Sequence, residues 1–118
     1  MDTEAVSALV VDVCERLVLP RFRALRADEV EQKRPGDVVT VADREAEAEL
    51  TAALAAADRG ALVLGEEAAF ARPGLVEALP GAGHAWVIDP VDGTRNFASG
   101  SPDFGVMVAE VRSGTCVR

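Results

Sequence analysis

The sequence predicts an α+β fold in which two long helices pack on a mainly antiparallel sheet. Three observations carry this prediction: helical spacing of the apolar residues near the N-terminus, an unbroken run of helix formers in the middle, and short apolar runs separated by turn residues in the second half. With 118 residues, 49% of them apolar and 27% charged, the chain has the size and composition of one globular domain with a modest core.

The first helix is indicated by an apolar stripe. Five apolar residues recur at the spacing of one helix face: Val6, Leu9, Val10, Val13 and Leu17. We expect the helix to run from about Thr3 into the mid-twenties. Pro20 should kink or split it, because proline lacks the backbone N–H that a helix interior needs.

The second helix has a start signal. Thr40 is followed three residues later by Asp43, which is the pattern of a capping box. The run that follows, REAEAELTAALAAAD, contains strong helix formers and no glycine or proline, so the helix should extend to about Asp58 and end at Gly60. Residues 38–39, both valine, predict a short extended segment before it.

The second half of the chain contains the predicted strands. Four short apolar runs are typical of strands: Ala61–Leu64, His84–Ile88, Phe104–Val111 and the four residues from Thr115. A short helix is predicted over Leu75–Leu79, and the turn at Arg112–Gly114 predicts a hairpin. The last run would leave an unpaired edge, so we expect the chain to be the N-terminal portion of something larger.

Three acidic residues fall where predicted strands end. Glu66 follows one strand, and Asp89 and Asp92 follow the next. If these strands are neighbours, their ends bring the carboxylates to one place, and the carbonyl of Val91 can face the same point. Hard oxygen ligands gathered in this way suit Mg²⁺.

The residues after these acids suit a phosphate group. If a helix begins at Gly93 and Thr94, their amides form an anion site at its N-terminus, and a cation beside such a site suits a phosphate ester. Other interpretations stay open at this point. The pattern DxxDG is common in turns, and helix capping alone would explain Asp43. An EF-hand loop is excluded, because its third and fifth positions would be Val91 and Gly93.

The charge excludes several classes of partner. A net charge of −8 argues against nucleic acids and anionic membranes, both of which bind clustered lysine and arginine. It leaves open a small phosphorylated substrate, because a bound cation reverses the local sign. The N-terminus is acidic, unlike a signal peptide, and no apolar stretch approaches the roughly 18 residues of a membrane span. We therefore expect a soluble cytoplasmic protein.

Three elements together resemble a known family. WVIDPVDGTRNF, residues 86–97, resembles the signature of the inositol monophosphatase family, and VTVAD (39–43) and LGEE (64–67) resemble its two upstream elements. The resemblance implies Mg²⁺-dependent hydrolysis of a small phosphate monoester, inositol monophosphate first, by a metal-activated water. It also implies a layered α-β-α-β-α sandwich, of which residues 1–118 would form the N-terminal portion.

The resemblance implies a role for each matching residue. Four positions would contact metal: Glu66, Asp89, Val91 (through its carbonyl) and Asp92. Thr94 would pair with Asp43 and, together with Glu66, position and activate the attacking water. The amides of Gly93 and Thr94 would hold the phosphate. A family lysine falls near Lys33, about one residue out of register.

The chain also departs from the family pattern. Family members are much longer, and their second half supplies a further metal-binding aspartate and most contacts to the alcohol part of the substrate. We therefore expect weak metal binding and little turnover from these residues alone. The alternative is a catalytically incompetent fragment that only binds metal or a partner. The stretch TRNFASGSPDFG, residues 94–105, keeps histidinol phosphate open as an alternative substrate, and a homodimer is possible.

Overall fold

The computed structural model describes all 118 residues and contains four α-helices and six β-strands. In chain order they are α1 (Thr3–Val13), β1 (Val30–Arg34), β2 (Asp37–Thr40), α2 (Val41–Ala57), β3 (Leu62–Gly65), α3 (Glu66–Ala71), β4 (His84–Asp92), α4 (Thr94–Ser99), β5 (Gly105–Arg112) and β6 (Thr115–Cys116). No helix is both long enough and apolar enough to cross a membrane.

The first helical segment is shorter than the sequence predicts. It begins at Thr3 as expected, and the side chain of Asp2 caps it by accepting from the Ala5 N–H at 2.8 Å. α1 continues into a π-helical turn, Cys14–Val18, and a 3₁₀ turn, Leu19–Arg21. The segment ends there rather than in the mid-twenties because Pro20 removes a backbone donor from the last turn.

The capping box of α2 is confirmed. The Asp43 carboxylate accepts from the Thr40 N–H at 2.9 Å, and the Thr40 hydroxyl accepts from the Asp43 N–H at 3.4 Å. The helix ends at Ala57, with Asp58 as its C-cap. One face supplies four buried apolar side chains to the core: Ala42, Ala46, Leu50 and Leu54.

The main sheet has the strand order β3-β4-β5-β6. β3 and β4 are parallel, with Gly65 opposite Ile88, whereas β4–β5 and β5–β6 are antiparallel, so the expectation of a mainly antiparallel sheet is confirmed. β4 is longer than the predicted His84–Ile88. Asp89 and Asp92 lie within its last residues, where a register shift interrupts the pairing with β5.

Two elements were not expected from the sequence. β1 pairs with β2 in a separate two-stranded hairpin, although its sequence, VEQKR, is polar. α3 begins at Glu66, directly after β3, and is only six residues long. The short helix predicted at Leu75–Leu79 is present as a 3₁₀ segment, Pro73–Ala78.

The core lies between α2 and the middle of β4. Trp86 and Ile88 on β4 and Phe97 on α4 are almost fully buried, in one apolar cluster with the buried residues of α2. Phe22, which follows the first helical segment, stacks on Phe97. This packing fixes the end of β4 relative to α2, and the two elements carry most of the acidic residues described next.

Candidate active site

Parallel pairing of β3 and β4 brings the predicted acids to one cavity. Because Gly65 lies opposite Ile88, Glu66 at the start of α3 falls beside Asp89. A cavity of about 230 Å³ opens at this point. Six of the predicted site residues line it: Glu66, Asp89, Val91, Asp92, Gly93 and Thr94. The remaining predicted residue, Asp43, lies behind Thr94 and is fully buried.

Among the acids that line the cavity, Asp89 has the most strongly shifted pKa. Its Oδ1 atom is buried and has no hydrogen-bond partner. Burial, followed by the carboxylates of Glu66 and Asp92, raises the pKa of Asp89 to about 7. A buried acceptor that has no donor and lies beside like charges is energetically unfavourable in the protein alone. The same arrangement is favourable when a cation is bound between the carboxylates. These residues therefore fit a divalent metal ion.

Asp43 divides its two carboxylate oxygens between two tasks. Oδ2 accepts from the Thr40 N–H and from its hydroxyl, at 2.9 and 2.6 Å, and so caps α2. Oδ1 lies 2.9 Å from the Thr94 hydroxyl. Burial raises the pKa of Asp43, while the hydrogen bonds from Thr40 and Thr94 oppose that rise. Asp43 therefore caps α2 and pairs with Thr94 at the same time.

The Thr94 hydroxyl has two acceptors in reach but only one proton. Its Oγ1 lies 2.9 Å from Asp43 Oδ1 and 2.8 Å from the Val91 carbonyl oxygen. When the proton points to Asp43, the Val91 carbonyl is free to accept another partner at the cavity wall. The hydroxyl can therefore switch between two hydrogen bonds without any movement of the backbone.

Gly93 is required by the shape of the turn. Its φ of +79° lies in the left-handed region, and a Cβ there would approach the Asp103 carbonyl oxygen to 2.7 Å. α4 starts at the next residue, so Gly93 and Thr94 stand at its N-terminus on the cavity wall.

Some residues at the cavity were not predicted or only weakly indicated. The Lys33 ammonium lies 3.3 Å from a Glu67 carboxylate oxygen and 4.0 Å from one of Glu66, and its side chain is only 6% exposed. Lys33 lies near the cavity without lining it, whereas Arg95 and Asp37 do line it. No local pattern in the sequence points to Asp37, because it reaches the cavity through the β1–β2 hairpin.

A second group of side chains that could bind a metal ion lies at the other end of β4, near His84. Three such residues have ligand atoms within 4.8 Å of one another: Asp58, His84 and Glu110. Both acids already have cationic partners, because the Met1 ammonium lies 3.2 Å from Asp58 and the Arg118 guanidinium lies 2.7 Å from Glu110. His84 Nε2 also bonds Glu110, at 2.7 Å. The two acids of this group are therefore already paired with cations of the chain, and the group is distinct from the cavity.

The family model described as the inositol monophosphatase family matches residues 2–117. Nus factor SuhB of Pseudomonas aeruginosa is 41% identical over 93 residues, which are 79% of this chain and 33% of that protein. An inositol-1-monophosphatase of Mesorhizobium japonicum is 43% identical over 89 residues, covering 75% and 31%. A histidinol-phosphatase of Chlorobaculum parvum is 39% identical over 84 residues, covering 71% and 30%.

A solved structure shares the fold. The IMPase TM1415 of Thermotoga maritima superposes with a TM-score of 0.77 at 28% sequence identity, covering 98% of this chain and 42% of that one. The chain therefore spans about two fifths of this solved relative, and its aligned part spans about a third of the curated relatives.

Proposed function

Because the chain belongs to the inositol monophosphatase family, we propose that it supplies the metal- and phosphate-binding part of a phosphatase that hydrolyses a small phosphate monoester with Mg²⁺. One observation carries the proposal: the buried Asp89 oxygen without a donor, set beside Glu66 and Asp92 at an open cavity. A hydrogen-bonded protein site would not leave such an oxygen unpaired, whereas a cation site needs it.

Four residues would hold the metal: Glu66, Asp89, Asp92 and Val91, the last through its carbonyl oxygen. When bound, a divalent cation neutralises phosphate charge and activates water for attack. The carboxylates bring the cation to this end of β4, and the same negative charge would repel a phosphate ester that arrives without it.

The Asp43–Thr94 pair would orient the attacking water. With its proton directed to Asp43 Oδ1, the Thr94 hydroxyl presents lone pairs to the cavity and can accept a hydrogen bond from water. As the water oxygen bonds to phosphorus, the P–O bond to the alcohol would break, and the alcohol oxygen would take a proton from solvent. The proton lost by the attacking water would pass to the Thr94 oxygen while the Thr94 proton moves to Asp43. Burial raises the pKa of Asp43, which makes it a stronger base than an exposed aspartate.

The phosphate would lie against the N-terminus of α4. Amides at a helix start point outward and favour an anion. We assign the phosphate contacts to the amides of Gly93 and Thr94.

Inositol monophosphate is the substrate we propose first. Relatives of 43% and 39% identity carry the names inositol-1-monophosphatase and histidinol-phosphatase, so histidinol phosphate is the alternative. A cytoplasmic location and a homodimer stay predictions.

Phosphate release from inositol 1-phosphate and from histidinol phosphate, measured with and without Mg²⁺, tests the proposal. We expect slow release that requires Mg²⁺, that favours inositol 1-phosphate, and that Asp89→Asn abolishes while the circular dichroism spectrum is unchanged. Release from Asp89→Asn at the wild-type rate would refute the assignment of the site.

The second candidate function is metal binding without turnover. The observation that favours it is the unpaired Asp89 oxygen beside two further acids, which supports a bound cation whether or not turnover follows. Calorimetric titration with Mg²⁺ separates the two candidates. Binding that Asp89→Asn removes, with no phosphate release from either ester, would favour the second candidate over the first.

A further inference from the structure

We propose that Glu47 is a positioning residue that holds Glu66 at the metal site. The inference rests on the proposed function, because it assigns Glu47 a purpose through a metal ligand. Glu47 lies on α2, one turn after Asp43, and is 8% exposed. It faces the start of α3 rather than the cavity, and none of the roles argued above uses it.

The Glu47 carboxylate accepts two backbone hydrogen bonds from α3. Oε1 accepts from the Glu67 N–H at 2.7 Å, and Oε2 accepts from the Ala68 N–H at 2.9 Å. These N–H groups belong to the first turn of α3, where the N-cap residue is Gly65 and no local side chain caps the helix. An acid 20 residues earlier in the chain therefore replaces the missing cap.

Gly65 makes room for this carboxylate. A Cβ at Gly65 would lie 2.5 Å from each of the two Glu47 carboxylate oxygens. The backbone of Gly65, with φ of −95°, is one that any residue adopts. Glycine is thus needed here for space rather than for conformation, and the space is filled by Glu47.

These contacts fix the backbone on both sides of Glu66. Gly65 packs against the Glu47 carboxylate, and the N–H of Glu67 donates to it. The Glu66 side chain itself is 46% exposed, and its ion pair with Lys33 is long, at 4.0 Å. The position of the Glu66 carboxylate therefore depends on its backbone, which Glu47 holds.

Mg²⁺ titration calorimetry of wild type, Glu47→Gln and Glu47→Ala tests the role. We expect Glu47→Ala to weaken Mg²⁺ binding by roughly 10–100-fold, the usual loss when the group that orients a metal ligand is removed. Glu47→Gln keeps one acceptor oxygen, so its Mg²⁺ affinity should lie between those of wild type and Glu47→Ala. The matched control is Glu49→Gln, an exposed acid on the same helix that pairs with Arg16 and should leave the affinity unchanged.

Amide exchange in EDTA reports the contact without metal. In Glu47→Ala, the N–H groups of Glu67 and Ala68 should exchange faster than in wild type, while those in the middle of α2 should not change. Faster exchange together with wild-type Mg²⁺ affinity would show a capping contact only and would overturn the positioning role.

A double-mutant cycle with Gly65→Ala gives the sharpest test. Alone, Gly65→Ala should displace the Glu47 carboxylate and weaken Mg²⁺ binding about as much as Glu47→Ala, within the same roughly 10–100-fold range. In the Glu47→Ala background the clash is gone, so Gly65→Ala should add little. Fully additive losses would overturn the inference. A wild-type chain that binds no Mg²⁺ would instead refute the proposed function on which it rests.

Discussion

Asp89→Asn should stabilise the metal-free chain while removing its response to Mg²⁺. The wild-type carboxylate is buried beside Glu66 and Asp92, and one of its oxygens has no donor. Asparagine has nearly the same shape without the charge. The substitution therefore removes the repulsion that the empty site imposes, and with it the attraction for a cation.

The magnitude follows from the pKa of Asp89. A rise from 3.8 to about 7, at about 1.36 kcal/mol per pKa unit, sets an upper bound of about 4 kcal/mol. Solvent and counterions screen a half-buried group, so we expect a gain of about 1–2 kcal/mol in the free energy of unfolding at pH 8.

The sign of the pH dependence is fixed by the direction of the shift. A carboxyl whose pKa is raised in the folded chain binds its proton more tightly there than in the unfolded chain. The contribution of Asp89 to the free energy of unfolding of the metal-free chain should therefore fall as the pH rises from about 4 to about 7, and stay level above that. At pH 5.5, still above the isoelectric point near 4.6, the advantage of Asp89→Asn should be about half of its value at pH 8.

Urea unfolding at pH 5.5 and pH 8, in EDTA and in Mg²⁺, measures both effects. Mg²⁺ at 100 times its Kd should raise the wild-type free energy of unfolding by about 2.7 kcal/mol and leave Asp89→Asn unchanged. Asp103→Asn, an exposed aspartate, is the matched control and should behave as wild type. Equal stability of Asp89→Asn and wild type in EDTA at pH 8, or equal stabilisation of both by Mg²⁺, would refute the reasoning.

Three further substitutions are each tested by urea unfolding. Thr94→Val leaves the buried Asp43 Oδ1 without its donor and should cost about 1–3 kcal/mol, whereas Thr94→Ser, which keeps the hydroxyl, should restore most of it. Gly93→Ala forces a left-handed φ and a clash with a carbonyl oxygen, so a loss below about 1 kcal/mol would contradict the turn geometry. Leu50→Ala should cost about 2–5 kcal/mol, against less than about 0.5 kcal/mol for the exposed Val11→Ala; similar losses in both would contradict the described core.

The elements with local signals could be predicted from the sequence. α2 has a capping box at its start and an uninterrupted run of helix formers, and the structure places it at Val41–Ala57. The apolar runs of β3 and β4 were equally clear. The sequence did not show whether the two strands are neighbours. In the structure they are parallel neighbours, which places Glu66 beside Asp89.

The elements stabilised by distant contacts could not be predicted. β1 is a polar strand with three of its five residues exposed, so it lacks the alternation of apolar and polar residues that identifies a strand. α3 has six residues, too few for helix propensity to decide, and its start is held by Glu47 from a different helix. Lys33 reaches the acids near the cavity through β1, so its position depended on the strand that the sequence did not reveal.

The interior of α2 connects the fold of the chain to its chemistry. Its buried face is apolar except at Asp43 and Glu47, which lie one turn apart. Two buried acids on an apolar face lower stability unless each carboxylate is hydrogen-bonded. Here each carboxylate accepts hydrogen bonds from a different segment beside the site. Asp43 binds Thr94 after β4, and Glu47 binds the first turn of α3 after β3. Because α2 packs on β4, it links the groups proposed to activate water to the groups proposed to bind metal. A shift of α2 against the sheet would therefore disturb both at once.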